Sequence, residues 1–122
     1  MDLIIGGMYQ GKLDYAKTHF SIADQEVFRC TDAPVLDPSM RCICGLERYL
    51  RACVREGQKP ALVFRPDAVI LCTDIFCGLV PESGEPRAWR ELAGRVVTSL
   101  AAQAETVTRI FCGIPQRLKP PE

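Results

Sequence analysis

The sequence predicts a three-layer α/β domain in which helices cover both faces of a mainly parallel sheet. Leu3-Ile4-Ile5 is a continuous apolar run stopped by Gly6-Gly7, which is typical of a buried parallel strand. From Trp89 to Ala104, apolar residues recur at helical spacing over about four turns. Because the strand-like run Thr106–Cys112 follows directly, strands and helices alternate along the chain, as expected for a parallel sheet.

Length and composition limit the chain to one small domain, residues 1–122. Of its 122 residues, 48% are hydrophobic and 25% are charged, with 15 basic side chains against 15 acidic ones. This supports one hydrophobic core and no second domain. A net charge of zero gives no field that attracts nucleic acid or a membrane surface, so any anion site must be local. The start does not resemble a secretory signal and no run reaches the roughly 18 apolar residues of a membrane span, so we expect a cytoplasmic protein.

The central part of the chain predicts further elements with less distinct boundaries. A second strand is expected near Glu26–Cys30. Asp37-Pro38 is typical of a helix start, and the predicted helix ends at Gly57. Two apolar runs rich in strand-forming residues follow, Ala61–Phe64 and Val69–Thr73, and at least one of them is expected to be a central strand. Residues 116–122, which include two prolines, are expected to form a flexible tail.

The seven cysteines do not indicate a disulfide scaffold. Their number is odd and their share is below the roughly 8–10% of small secreted scaffolds. There is no Cys-x-x-Cys pair to favour zinc. We therefore expect free thiols, several of them in the core.

The loop after the first strand carries the main functional signal. Residues 6–12 match G-x-x-x-x-G-K between a predicted strand and a predicted helix, the context in which this pattern binds nucleotide phosphates. Backbone N–H groups and a helix N-terminus would surround the phosphates, and a lysine would neutralise them. The alternative is a glycine turn with an exposed lysine. The predicted binding residues are Gly6, Gly7, Met8, Tyr9, Gln10, Gly11, Lys12 and Leu13.

Leu13 departs from this pattern at the position of the usual Ser or Thr. That hydroxyl would ligate the Mg²⁺ that accompanies GTP or ATP. Its loss is expected to weaken phosphoryl transfer more than phosphate binding.

Two stretches together resemble the adenosylcobinamide kinase / adenosylcobinamide-phosphate guanylyltransferase family of cobalamin biosynthesis. The first is Leu3–Lys12, and the second runs from Val69 to Glu82 and continues through Trp89–Val96. The likeness covers somewhat more than half of the chain. It implies a P-loop (RecA-like) fold, a nucleotide ligand, a corrinoid (cobinamide) substrate and a homo-oligomer.

The same resemblance suggests the remaining site residues. Asp74, at the end of Val69–Thr73, is the predicted metal-binding and catalytic acid beside the catalytic Lys12; the alternative is an aspartate that caps the following loop. Glu82 follows Pro81 in a loop that matches the family's, so it is a further predicted site residue. Arg95 lies off the central apolar stripe of its helix, from which it could reach a phosphate or a neighbouring subunit; the alternative is a solvated or intrachain ion pair.

The family's guanylylated histidine has no counterpart, because the only histidine, His19, follows the glycine loop and is interpreted as a surface residue. The sequence therefore predicts a nucleotide-binding relative with impaired or lost guanylyl transfer. The first alternative is a non-catalytic module that senses nucleotide or corrinoid, or assembles with a partner of the pathway. A third interpretation treats the glycine loop as purely structural.

Overall fold

A computed structural model shows an α/β fold with a six-stranded, mostly parallel sheet. The structure describes residues 1–8, 10–75 and 84–121. Within these ranges, the elements in chain order are β1 (Asp2–Gly6), α1 (Lys12–His19), β2 (Val27–Arg29), β3 (Cys42–Cys44), α2 (Leu46–Glu56), β4 (Val69–Thr73), α3 (Gly84–Gln103), β5 (Thr106–Phe111) and β6 (Ile114–Lys119).

The first strand lies inside the sheet, as its apolar sequence predicts. The strand order is β2-β3-β4-β1-β5-β6, and every neighbouring pair is parallel except β5 and β6. Leu3 and Ile4 of β1 are almost completely buried, and so are the first four residues of β4. Strands buried on both faces are continuously apolar, which explains why both runs were recognisable in the sequence.

Helices lie on both faces of this sheet. On one face, Ala16 of α1 packs in a cluster with Ile4, Leu71 and Ile110. On the other face, α2 and α3 cover Leu3, Ile43 and Ile70 through apolar residues that include Leu50 and Val96. The predicted three-layer arrangement is therefore present, with one helix on the first face and two on the second.

The helix predicted from Asp37 to Gly57 begins too early. Cys42–Cys44 forms β3, and α2 starts only at Leu46, after Gly45 with its left-handed φ of 80°. Asp37 accepts hydrogen bonds from the backbone and hydroxyl of Ser39, so it stabilises a local turn and caps no helix. The apolar residues of β3 fitted the helical pattern of α2 by coincidence of spacing, since a three-residue strand is too short to reveal its own period.

Of the two apolar runs in this region, Ala61–Phe64 forms no strand, whereas Val69–Thr73 forms β4 inside the sheet. A buried tyrosine holds this connection instead, because the hydroxyl of Tyr49 accepts a hydrogen bond from the N–H of Ala61 at 2.9 Å. Burial raises the pKa of Tyr49 above its usual value, and the N–H of Ala61 opposes this shift only in part.

The C-terminal region differs from the expected flexible tail. Residues 116–119 are the last four of the six residues of β6, which pairs antiparallel with β5. The ammonium of Lys119 donates to the carbonyls of Ala101 and Ala102 at 3.1 and 3.0 Å, at the end of α3. A cation at this position satisfies helix carbonyls and opposes the helix dipole. None of the described helices is long and apolar enough to span a membrane.

Candidate functional site

The glycine loop follows β1 at the topological switch point of the sheet, between two adjacent strands from which the chain continues on opposite faces. β1 and β4 are adjacent, with Gly6 in register with Thr73, and the N–H of Asp74 donates to the carbonyl of Gly6 at 2.7 Å. The chain leaves β1 through α1 on one face, whereas it leaves β4 through α3 on the other face. In open parallel sheets, ligands bind in the crevice that such a divergence creates at the carboxyl ends of the strands.

The loop directs positive charge into this crevice. The ammonium of Lys12 lies 2.7 Å from the carbonyl oxygen of Gly7, so the side chain folds back over the start of the loop. Gly11 precedes α1 with a φ of 89°, a conformation that other residues rarely adopt. In the described part of the loop, the N–H groups of Lys12 and Asp14 have no hydrogen-bond acceptor, as is usual in a first helical turn. These donors and the ammonium suit an anionic group.

The loop is also held from its far side by the turn between β5 and β6. The carbonyl of Gln10 accepts a hydrogen bond from Gly113 at 3.0 Å, and its side-chain oxygen accepts one from the N–H of Cys112. The loop is therefore tied to a neighbouring hairpin, which reduces the entropy that ligand binding would otherwise cost.

A cleft of about 550 Å³ opens beside the loop. One wall comes from the loop and α1, and the opposite wall comes from the ends of β2 and β3 with the first turn of α2. The described lining residues are Met8, Gln10, Gly11, Lys12, Leu13, Asp14, Arg29, Cys30, Cys44, Gly45, Glu47, Arg48, Leu71 and Thr73. The volume is in the range of small-molecule sites.

Glu47 connects the opposite wall to the sheet. Its Oε1 accepts a hydrogen bond from the N–H of Thr73 at 2.8 Å. Thr73 lies two residues after Leu71, the last residue of β4 that pairs with β3. The backbone carbonyl of Glu47 accepts the indole N–H of Trp89 in α3, also at 2.8 Å. The first contact fixes the carboxylate at the edge of the cleft, and the second fixes the backbone of the same residue.

The cysteines of the cleft are poor candidates for nucleophiles or metal ligands. Burial, with a smaller contribution from the nearby charge of Glu47, raises the pKa of Cys30 to about 12. Burial also raises the pKa of Cys44. Such thiols remain protonated at neutral pH and hence unreactive. Among the described residues, no group of three or more His, Cys, Asp or Glu side chains is arranged to hold a metal ion.

The structure brings only part of the predicted site together. Lys12 and Leu13 line the cleft with Met8, Gln10 and Gly11, whereas Gly6 and Gly7 form the base of the loop. Asp74 follows Thr73 at the end of β4 but is not part of the lining. Tyr9 and Glu82 lie outside the described residues.

Two further sequence candidates lie away from the cleft. Arg95 is on α3 and borders a shallow surface groove with Arg90 and Thr98. His19 is exposed in the last turn of α1, where its ring stacks on Tyr15 with centroids 5.0 Å apart. Neither residue lines the cleft.

Sequence reasoning missed the opposite wall of the cleft. The site residues predicted from the sequence include none of Arg29, Glu47 and Arg48, yet all three line the cleft. The available signal was Gly45, which interrupts the apparent helix and places Glu47 in a first helical turn. Comparison of the sequence with family models and with curated proteins found no match.

Proposed function

We propose that the chain binds a purine nucleoside triphosphate, GTP or ATP, with its phosphates at the loop of residues 6–12. The observation that carries this proposal is the position of Lys12. Its ammonium donates to the carbonyl of Gly7 at 2.7 Å, at the switch point of the sheet, and borders a cleft large enough for a nucleotide. A helix N-terminus and a lysine together neutralise phosphate charge.

The finer assignment is a P-loop domain of the RecA-like type, related to the cobinamide kinase/guanylyltransferase family. It is supported by the sequence likeness around residues 3–12 and 69–96 and by a strand–loop–helix arrangement at the crevice. On this proposal a corrinoid is the second ligand, Mg²⁺ accompanies the nucleotide, and a homo-oligomer forms.

Calorimetric titration with GTP and with ATP, each with and without Mg²⁺, tests nucleotide binding directly. We expect the wild-type chain to bind at least one of the two and Lys12→Ala to lose at least about tenfold in affinity, a difference of about 1.4 kcal/mol. Lys59→Ala is the matched control, because Lys59 is an exposed lysine outside the cleft. Equal affinities for the wild type and Lys12→Ala would contradict the proposal.

A second candidate function is a non-catalytic nucleotide or corrinoid sensor, or an assembly module. Leu13 favours it, since the usual hydroxyl ligand of Mg²⁺ is missing from the cleft. The position of His19 favours it as well, because guanylyl transfer in the family proceeds through a histidine. Incubation with GTP labelled at the α-phosphate separates the candidates: a covalent label supports the transferase, and nucleotide binding without a label supports the sensor.

A further inference from the structure

We propose that Glu47 is the carboxylate through which this chain recognises the Mg²⁺ that accompanies a bound nucleotide. The inference rests on the proposed nucleotide site and assigns to it a residue that the glycine-loop pattern does not contain. Mg²⁺ in nucleotide sites is held by one or two carboxylates together with phosphate oxygens and water, so a cluster of three protein ligands is not required.

Glu47 and Lys12 border the same cleft. Lys12 follows β1 and Glu47 follows β3, and these two strands flank β4 in the sheet. Burial is the main cause that raises the pKa of Cys44 and of Cys72, and on both thiols the charge of Glu47 adds to the shift while that of Lys12 opposes it. A phosphate group bound at Lys12 would therefore share the cleft with this carboxylate.

Glu47 has coordination capacity left after its structural contact. Oε1 accepts the N–H of Thr73, and this contact fixes the side chain. A carboxylate has two oxygens, each with more than one lone pair, so Oε2 can accept a magnesium-bound water or bind the ion directly. The indole of Trp89 fixes the backbone of the same residue. A ligand held by two independent contacts is preorganised, which lowers the entropic cost of binding the ion.

Glu47 is also better placed than Asp74, the acid that the sequence favours as a metal ligand. Asp74 follows the same strand end, but the lining of the cleft stops at Thr73 on β4 and includes Glu47 from α2. Leu13 supplies no hydroxyl to the ion. Of the described acids that line the cleft, Asp14 is exposed on the loop's own wall, whereas Glu47 is half-buried on the opposite one.

The test compares the affinity for GTP with and without Mg²⁺ in the wild type and in Glu47→Gln. Glutamine keeps an oxygen that can accept the Thr73 N–H but removes the charge, so the fold should persist; urea denaturation checks this. In the wild type we expect Mg²⁺ to tighten binding by about tenfold or more, and in Glu47→Gln we expect the ratio to approach one. Glu56→Gln, an exposed acid at the end of the same helix, should retain the wild-type ratio.

Several outcomes would overturn the proposal. An unchanged magnesium effect in Glu47→Gln would do so, and so would loss of the effect in Asp74→Asn with retention in Glu47→Gln. If the wild type binds GTP equally well with and without Mg²⁺, this inference fails while nucleotide binding stands. If it binds no nucleotide, the proposed function itself fails.

A measurement on the unmodified chain provides an independent check. Because the amide of Thr73 donates to Glu47, its proton chemical shift reports on electron density at that carboxylate. We expect the shift to change when Mg²⁺ is added to the GTP complex, and to remain unchanged when Mg²⁺ is added without nucleotide. An unresponsive Thr73 amide in the GTP complex would also overturn the proposal.

Discussion

Gly6 of β1 packs directly against the backbone of Ile110 in β5. A methyl group at Gly6 would lie 2.5 Å from the carbonyl oxygen of Ile110, closer than a carbon and an oxygen can approach. The first glycine of the loop is thus required by the packing of two parallel strands, whatever the loop binds. Lys12, which has no such packing reason, is the stronger indicator of an anion site.

Gly6→Ala is expected to destabilise the fold by about 1–3 kcal/mol, because the two strands must separate to admit the methyl group. The free energy of unfolding from urea denaturation measures this. Gly7→Ala is the matched control, since there the closest atom belongs to the flexible side chain of Gln10, at 3.3 Å. Equal stabilities of the two variants would show that β1 and β5 can adjust without cost.

Trp89→Phe is expected to destabilise the packing of α2 against α3 by about 1 kcal/mol or more. Phenylalanine keeps most of the apolar ring but cannot donate to the carbonyl of Glu47, which the indole reaches at 2.8 Å. The stacking of the Arg51 guanidinium, 5.2 Å from the ring centre, is also weakened in this variant. Urea denaturation followed by far-UV circular dichroism gives the change. An unaltered midpoint would mean that this hydrogen bond contributes no net stability.

The described cysteines are expected to differ strongly in reactivity toward iodoacetamide. Cys112 is exposed, whereas burial raises the pKa of Cys30 and of Cys42 to about 12. Because the thiolate is the reactive form, Cys112 should be alkylated at pH 8 in the native protein, and the two buried thiols only after unfolding. Mass spectrometry of the peptides resolves each site. Alkylation of Cys30 at a rate similar to that of Cys112 would contradict the expectation.

The salt bridge before β4 predicts a pH-dependent contribution to stability. Arg65 donates two hydrogen bonds to Asp67, at 2.8 and 2.9 Å, and these lower the pKa of Asp67 below its usual 3.8. A carboxyl group whose pKa is lowered by folding stabilises the fold fully at pH values above its unfolded-state pKa. This contribution is lost as the pH falls through its folded-state pKa. Asp67→Asn should therefore lower the urea midpoint at pH 7 but not once Asp67 is protonated in the wild type.

Glu105→Gln provides the control for this pH dependence, because no ion pair involves Glu105 among the described residues. Its urea midpoint should follow that of the wild type from pH 7 into the acid range. A constant difference between Asp67→Asn and the wild type over that range would exclude the ionic contribution. Both side chains of the pair are half-exposed, so the effect is expected to be modest.

The sequence was sufficient to predict the parts of the fold that have a long or uniform pattern. An α/β domain was predictable from the apolar runs of β1 and β4 and from the helical periodicity that extends along α3. The run of β1 also placed the glycine loop after a strand. The sequence did not predict β3, because three residues are too few to show an alternating pattern. It did not predict β6 either, because the side chains of that strand are almost all exposed and show no apolar pattern.

The candidate site was predictable only where a contiguous motif carries it. Lys12 follows from the local pattern of residues 6–12, whereas the role of Glu47 depends on a contact with Thr73, 26 positions further along the chain. Contacts of this kind depend on strand order, which the sequence pattern alone did not determine. The assignment of Arg95 to the site stays a prediction; this residue borders a separate groove on α3, and the sequence alone does not determine toward which surface its face of the helix is turned.

The central position of β1 has a consequence for folding. Its two neighbours, β4 and β5, begin at Val69 and Thr106, so β1 cannot pair on both sides until β5 has been synthesised. Until then, a short and strongly apolar segment stays exposed. Pairings across such long sequence separations also slow the folding of a chain relative to helical domains of the same size. We therefore expect the nascent chain to need protection from aggregation until β5 has emerged from the ribosome.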